Sequence, residues 1–545
     1  MDILSKLQQE LSKHNNVFDN ASRKVLIEHA IQYREAIVSA SGSLATWTTK
    51  DSTGRSPKDT YVVKRTESME NIDWNSPNNH AMEPEIFASL FDDAINLISS
   101  KERMYITNRV VGTQTKYALP VRVITSRAIA ALFTDNMFPK VPKNIKESVF
   151  SNKEFTLFVL PYDKIDLKKY IDIDLRDMAI VMDMDKKLGL IIGSAYNGSI
   201  KKMIFTVMNY LLPEEGVLPL HCGANEDKEG NTALFLGLSG TGKTSLATDP
   251  QRKLIGDDEH LWSNDGIANF ESGCYAKLIN LNPKKEPEIY NAVFTNRHHL
   301  EDGTIIENAM IYPDGYIDLD DERLSQNSRV SYPIEYLSNV NLQGSGGHPK
   351  TIIFLTADAN GVLPPVAKLN TEQAMFWFLM GYTSKLAGTE TGVLEPTTVF
   401  SRFFGEPFMP RNPNDYAELL GEKIKKYNTK VFLVNTGWTG GPYGVGERID
   451  ISISRKIIDN ILSNKLDNVE YQKDERFKFF VPKTCDGIDS KILNPEESNT
   501  DKNVFNKRAD TLAQEFYGHF TKMYVDKVDR DIKDQCPKKL NEVFV

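Results

Sequence analysis

No run of about eighteen apolar residues occurs in the chain, so no segment is expected to span a membrane as a helix. There is no surplus of basic charge either: 65 Lys and Arg stand against 74 Asp and Glu, a net charge of −9, with a pI near 5.7. That balance argues against a general nucleic-acid or membrane-surface role. Any anionic ligand must then be held by a local cationic pocket. Cysteine is scarce, and Cys222, Cys274, Cys485 and Cys536 lack metal or redox spacing. Free thiols fit a reducing compartment, the cytoplasm by default. The opening MDILSKLQQELSKHNN has no apolar core region and mixes both charge signs. It reads as an amphipathic helix with Leu4, Leu7 and Leu11 on one face, not as a targeting peptide. Repeats and low-complexity tracts are also missing.

What is present is an ordinary globular composition, 40% hydrophobic and 26% charged. At 545 residues the chain exceeds what one hydrophobic core supports, so two domains are expected. The turn-rich LLPEEG at 211–216 is the best boundary, dividing the chain into 1–216 and 217–545. Residues 1–45 read as helical. Strand patterns at 103–111, 121–125 and 154–160, with helices at 84–99 and 128–138, lack strict βα alternation. They predict an α/β fold with mixed sheets. Residues 178–182 and 188–192 can pair across the turn at 183–187, and a helix is expected from Ser199 as its N-cap. That start puts Lys201 and Lys202 in the first helical turn, where the helix dipole disfavours cations. Two adjacent lysines ordinarily mark a solvated face; here the placement suggests a nearby anion or metal.

The most informative stretch is 231–262, NTALFLGLSGTGKTSLATDPQRKLIGDDEHLW. An apolar run at 233–236 is long enough for one buried strand. Gly237, Leu238, Ser239, Gly240, Thr241, Gly242, Lys243 and Thr244 then form a complete G-x-x-x-x-G-K-[ST] pattern, and 244–248 can begin a helix. Glycines let successive N–H groups turn toward phosphate oxygens, and the helix start adds positive charge. Lys243 is expected on the β/γ-phosphates and Thr244 on the nucleotide's Mg²⁺. The strand at 253–256 ends in Asp257 and Asp258, carboxylates suited to a hard cation beside phosphates. Further on, a capping-box pattern at 370–373 starts a helix expected over 373–387. The Gly- and Thr-rich loop at 388–398 has the character of an active-site lid. Helices are expected at 452–466 and 506–524.

GLSGTGKT followed by LIGDDEH resembles the ATP-dependent phosphoenolpyruvate carboxykinases. So do GRSPKD at 54–59, LHCGAN at 220–225, NSRVSYP at 327–333, FLTAD at 354–358 and NTGWTG at 435–440. The likeness implies a two-domain carboxykinase-like α/β architecture, with a substrate-side domain at 1–216 and the phosphate loop in the domain at 217–545. It implies decarboxylation of oxaloacetate and transfer of the ATP γ-phosphoryl group to the enolate, a carboxy-lyase activity of gluconeogenesis. Its partners would be the small molecules oxaloacetate and ATP, with no nucleic acid or membrane; the oligomeric state is left open.

The same resemblance assigns roles. Arg55 and Tyr196 would contact substrate. Lys202, His221 and Asp258 would hold Mn²⁺, with Thr244 on Mg²⁺. Lys201, Lys202, Lys243 and Arg329 would act on the reacting groups, Lys202 and Arg329 also touching substrate. Ser245, Glu286, Arg329, Arg448, Ile449 and Ser454 would join residues 237–244 around ATP. The family reads Y-x-G-E-M-K-K-G where this chain reads YNGSIKKM, so Ser199, Ile200 and Met203 depart from it. Those departures are what suggest a nucleotide-binding pseudoenzyme as an alternative; a GTP-using carboxykinase is another. A generic phosphate-loop hydrolase is disfavoured, since it needs neither Arg55 nor the Lys/His metal pair.

Overall fold

In a computed structural model, residues 2–170, 175–284, 286–294, 303–385 and 396–539 are described. The chain packs as two compact units, each made of two segments. The first comprises Met1–Leu212 with Ala268–Ser345, and the second Pro213–Ile267 with Gly346–Val545. A single cut at 216 therefore does not describe the packing, because 268–345 belongs with the first unit. The reason is hydrogen bonding. Strand Ile305–Glu307 pairs in parallel with Leu44–Thr46 and antiparallel with Arg329–Pro333, so the later segment completes a sheet begun near the N-terminus.

That five-stranded sheet runs in the order Gly273–Lys277, Arg329–Pro333, Ile305–Glu307, Leu44–Thr46, Ile37–Val38. The larger sheet of the first unit has eight strands and mixes parallel and antiparallel neighbours. In it Ala179–Asp183 and Leu188–Ile192 pair antiparallel as expected. Helices Ile3–Lys13 and Pro84–Asn96 cover it, placing Leu7, Leu11, Phe87, Leu90 and Phe91 in one core with Val181 and Leu190. Residues 1–45 are only partly helical: short strands Val17–Asp19, Ile37–Val38 and Leu44–Thr46 find sheet partners that local sequence does not reveal.

The second unit is built on a sheet whose central strand, Thr232–Gly237, lies between Leu218–Glu226 and Pro349–Thr356. Its side chains alternate between two cores, as the strand period of two requires. Leu234 and Leu236 join Phe354 and Leu433 on one side, under helices Thr371–Met380, Pro413–Tyr427 and Lys502–Met523. Ala233 and Phe235 join Leu355, Val434 and helix Ile451–Leu462 on the other. The capping box forms as predicted, with Asn370 Oδ1 accepting from Gln373 N and Gln373 Oε1 from Asn370 N. The helix it starts is shorter than expected. Gly381, at φ 51°, turns the chain, and 382–385 becomes a strand. Residues 388–395 of the expected lid lie outside the described residues. Among those described, no helix is long and apolar enough to cross a membrane.

Candidate active site

In the first unit the segments carrying the expected substrate residues are tied together by hydrogen bonds. Ser52, 1% exposed, accepts hydrogen bonds from Ala195 N at 2.6 Å and Tyr196 N at 3.2 Å. This fixes the Tyr196 backbone to the loop that carries the exposed Arg55. Asn327 ties the same loop to Arg329: its Nδ2 donates to Thr53 O at 3.0 Å, and its Oδ1 accepts from Arg329 Nε at 3.0 Å. Glu307 is buried, accepting Asn197 N at 3.2 Å and Tyr275 Oη at 2.6 Å. Burial raises its pKa to about 6, against the lowering effect of those hydrogen bonds. Glu286 lies just before helix Pro287–Phe294 in this unit.

The lysine helix begins earlier than expected. It spans Gly198–Leu211 with Asn197 at the N-cap, so Ser199 is not the cap. Ser199 is buried and its Oγ instead hydrogen-bonds Ser194 Oγ at 3.0 Å, a partner supplied by the preceding turn. The other departures pack inward: Ile200 and Met203 are each 2% exposed. Met203 has room because residue 189 is glycine; a Cβ there would come within 2.6 Å of the Met203 sulfur. Lys201 is 1% exposed and bonded to the buried Glu271 at 2.8 Å, so a carboxylate inside the protein already balances its charge. Lys202 is only partly buried, its Nζ 5.0 Å from the Phe205 ring centroid.

In the second unit, the glycine loop follows strand Thr232–Gly237 and ends in the five-residue helix Lys243–Ala247. Gly240 and Gly242 have φ of 85° and 89°, the left-handed region that glycine adopts without strain. The loop is braced from elsewhere: Thr436 Oγ1 donates to Thr241 O at 2.9 Å, and Arg448 Nη2 to Gly240 O at 2.9 Å. Arg455 Nη2 donates to Ser245 O at 2.9 Å. Ile449 and Ser454 are buried, and Ser454 Oγ has no hydrogen-bond partner among the described residues. Such an orphan suits a residue that meets a ligand atom.

His221 lies within strand Leu218–Glu226, not at the end of a short one, because pairing with Thr232–Gly237 carries the strand on to Glu226. Its Nδ1 faces Phe404 O at 2.5 Å. A carbonyl can only accept, so Nδ1 carries a proton and Nε2 is the nitrogen turned toward the site. Nε2 is 3.0 Å from Asp258 Oδ1, and Lys243 Nζ lies 2.6 Å from that oxygen and 3.2 Å from Nε2. An imidazole oriented by a backbone carbonyl and a carboxylate beside it are donors that fit a divalent ion, and the Lys243 ammonium occupies the place between them. Among the described residues, no three His, Cys, Asp or Glu side chains cluster around a metal position.

The sequence profile of the phosphoenolpyruvate carboxykinase family matches residues 15–491. The phosphoenolpyruvate carboxykinase (ATP) of Alkaliphilus oremlandii is 46% identical over 527 residues, 96% of this chain and 97% of that protein. The enzyme of the same name from Thermus thermophilus is 44% identical over 525 residues, 96% of this chain and 97% of its own. That of Rhizobium rhizogenes is 45% identical over 513 residues, 94% and 93% respectively. The chain belongs to the phosphoenolpyruvate carboxykinase (ATP) family. It is thereby a carboxykinase, an enzyme of the carboxy-lyase class. Of the residues expected at the site, Arg55, Tyr196, Lys202 and Arg329 lie on the first unit and His221, Lys243, Thr244 and Asp258 on the second. Ser52, Glu271, Tyr275, Glu307 and Asn327 escaped the reading of the sequence. Each acts through a partner far along the chain, and only Asn327, inside NSRVSYP, lies in a recognisable motif.

Proposed function

We propose that this carboxykinase converts oxaloacetate and ATP to phosphoenolpyruvate, ADP and CO₂. Arg55 and Tyr196 hold oxaloacetate, and residues 237–245 with Glu286, Arg448, Ile449 and Ser454 hold the nucleotide. The observation that carries the reading is the meeting of Lys243, His221 and Asp258 beside the glycine loop, in a chain matched along nearly its whole length by carboxykinases. Lys202, His221 and Asp258 are the assigned Mn²⁺ ligands, and Thr244 the Mg²⁺ ligand. When bound, these ions supply Lewis-acid polarisation and neutralise phosphate charge.

The chain's own residues do the rest. The Arg55 guanidinium can pair two-pronged with a substrate carboxylate and fix its direction. Loss of CO₂ leaves an enolate, whose oxygen attacks the γ-phosphorus while the bond to the β-phosphate oxygen breaks. Phosphoryl transfer is mostly positioning and charge stabilisation. Lys243 and Arg329 bring fixed positive charge to the transferring group, where charge spreads in the transition state. Lys201, neutralised by Glu271, supports the helical turn that presents Lys202. The test is a coupled assay for phosphoenolpyruvate from oxaloacetate with Mn²⁺, comparing ATP with GTP. Turnover with ATP is expected. Nucleotide binding without turnover would support the pseudoenzyme instead, and preference for GTP the other carboxykinase type.

A further inference from the structure

We infer that Glu307 is a positioning residue for the substrate half of the reaction, setting Tyr196 and Arg329 in register with one buried carboxylate. Glu307 is 0% exposed, so its oxygens cannot be satisfied by bulk water. One oxygen accepts Asn197 N, the N-cap of the helix carrying Lys202, and the Asn197 side chain adds a further donor. The other accepts the Tyr275 hydroxyl at 2.6 Å. The Tyr275 ring lies 5.9 Å from the Tyr196 ring and 5.8 Å from the Arg329 guanidinium. Glu307 is itself paired with Arg329 across the five-stranded sheet. One side chain thus links the start of the lysine helix, the ring beside both expected substrate contacts and the strand that delivers the arginine.

The geometry separates this role from simple charge. A glutamine has one acceptor where the carboxylate has two, so it cannot take both Asn197 N and Tyr275 Oη in their present roles. An aspartate keeps the charge but is one methylene shorter and cannot reach both. Small misplacements of positioned groups cost rate out of proportion to their size.

The inference rests on the assignment of Tyr196 and Arg329 to oxaloacetate, so the experiment separates the two. Full-length wild type, Glu307→Gln, Glu307→Asp and Tyr275→Phe are compared by oxaloacetate and ATP kinetics and by calorimetric titration with oxalate, a planar dianion resembling the enolate. Expected is a fall in kcat/KM for oxaloacetate of about tenfold to a hundredfold in both Glu307 variants. Oxalate should weaken in parallel, with the KM for ATP within about twofold of wild type. Tyr275→Phe should show a smaller fall of the same kind. An aspartate variant equal to wild type would mean that charge alone matters and would overturn the inference. Wild-type oxaloacetate and oxalate constants in Glu307→Gln would overturn it too. If the Glu307 variants lose oxalate and ATP together through unfolding, Tyr275→Phe decides, and unchanged constants there reject the inference. A wild-type protein that neither binds oxalate nor turns over oxaloacetate would instead reject the functional assignment itself.

Discussion

Lys243 illustrates how much one side chain can be asked to do. Its ammonium donates to Asp258 and faces His221 Nε2, the same lone pairs assigned to a divalent ion. Nucleotide phosphates that draw Lys243 away would therefore free the ligands for metal. Replacing it with methionine should act in opposite directions on the two ligands. In Lys243→Met, ATP should bind about tenfold more weakly or worse, since a charged hydrogen bond is lost. Mn²⁺ at His221 and Asp258 should bind more tightly, because the competing ammonium is gone. Electron paramagnetic resonance titration of Mn²⁺ without nucleotide reads the second effect, and weaker Mn²⁺ binding would contradict it. Lys202 makes a complementary case. An ammonium has no lone pair, so coordination there must release a proton. Lys202→Arg keeps the positive charge but cannot lose its proton, and should lose Mn²⁺ and turnover while ATP–Mg²⁺ still binds. Equal Mn²⁺ affinity in both proteins would remove Lys202 from the ligand set.

At the scale of elements, the glycine loop depends on a close approach that its pattern alone does not reveal. Gly237 ends the central strand with no space for a side chain: a Cβ would lie 2.5 Å from Thr241 Oγ1 and 2.9 Å from Leu355 Cβ. Thr241 Oγ1 is already committed to Leu238 O at 2.7 Å. Gly237→Ala should push the loop off the neighbouring strand and weaken ATP by tenfold or more, at a stability cost of about 1–3 kcal/mol. At Gly242 the nearest atom to an added Cβ is Leu246 Cδ1 at 3.4 Å, so the penalty there comes from φ. Calorimetric ATP titration with thermal unfolding of Gly237→Ala checks this, and wild-type ATP affinity would show that the contact is not needed.

At the scale of the whole molecule, Glu307 gives stability a pH signature. Its carboxyl titrates near 6 in the fold, above an ordinary value of 4.5, because burial disfavours the charged form. Between those values the folded state holds more protons than the unfolded one, so stability falls as pH rises. The loss attributable to this group is about 2 kcal/mol, complete above pH 6. Denaturant unfolding at pH 4.5 and pH 7 should show a pH difference smaller by about that amount in Glu307→Gln. An identical difference in the two proteins would rule out Glu307 as its source.

The sequence by itself determined the family, the α/β class with mixed sheets, the glycine loop and the strands flanking it. These are local signals: glycines at fixed spacing, apolar runs and a capping box that reads the same in isolation as in the fold. It also placed the lysines of YNGSIKKM on a helix, missing only the N-cap, which is Asn197 while the Ser199 hydroxyl is shared with Ser194. The tertiary structure alone decided that 268–345 packs with the first unit, since strand pairing between residues hundreds of positions apart leaves no local trace. It decided that Lys201 is sealed against Glu271 while Lys202 is not, because burial depends on what packs over a helix rather than on the helix's own sequence. It supplied Ser52, Asn327 and Glu307 as tethers of the expected site. Hydrogen-bond partners are chosen by geometry, and geometry is set only when the whole fold is in place.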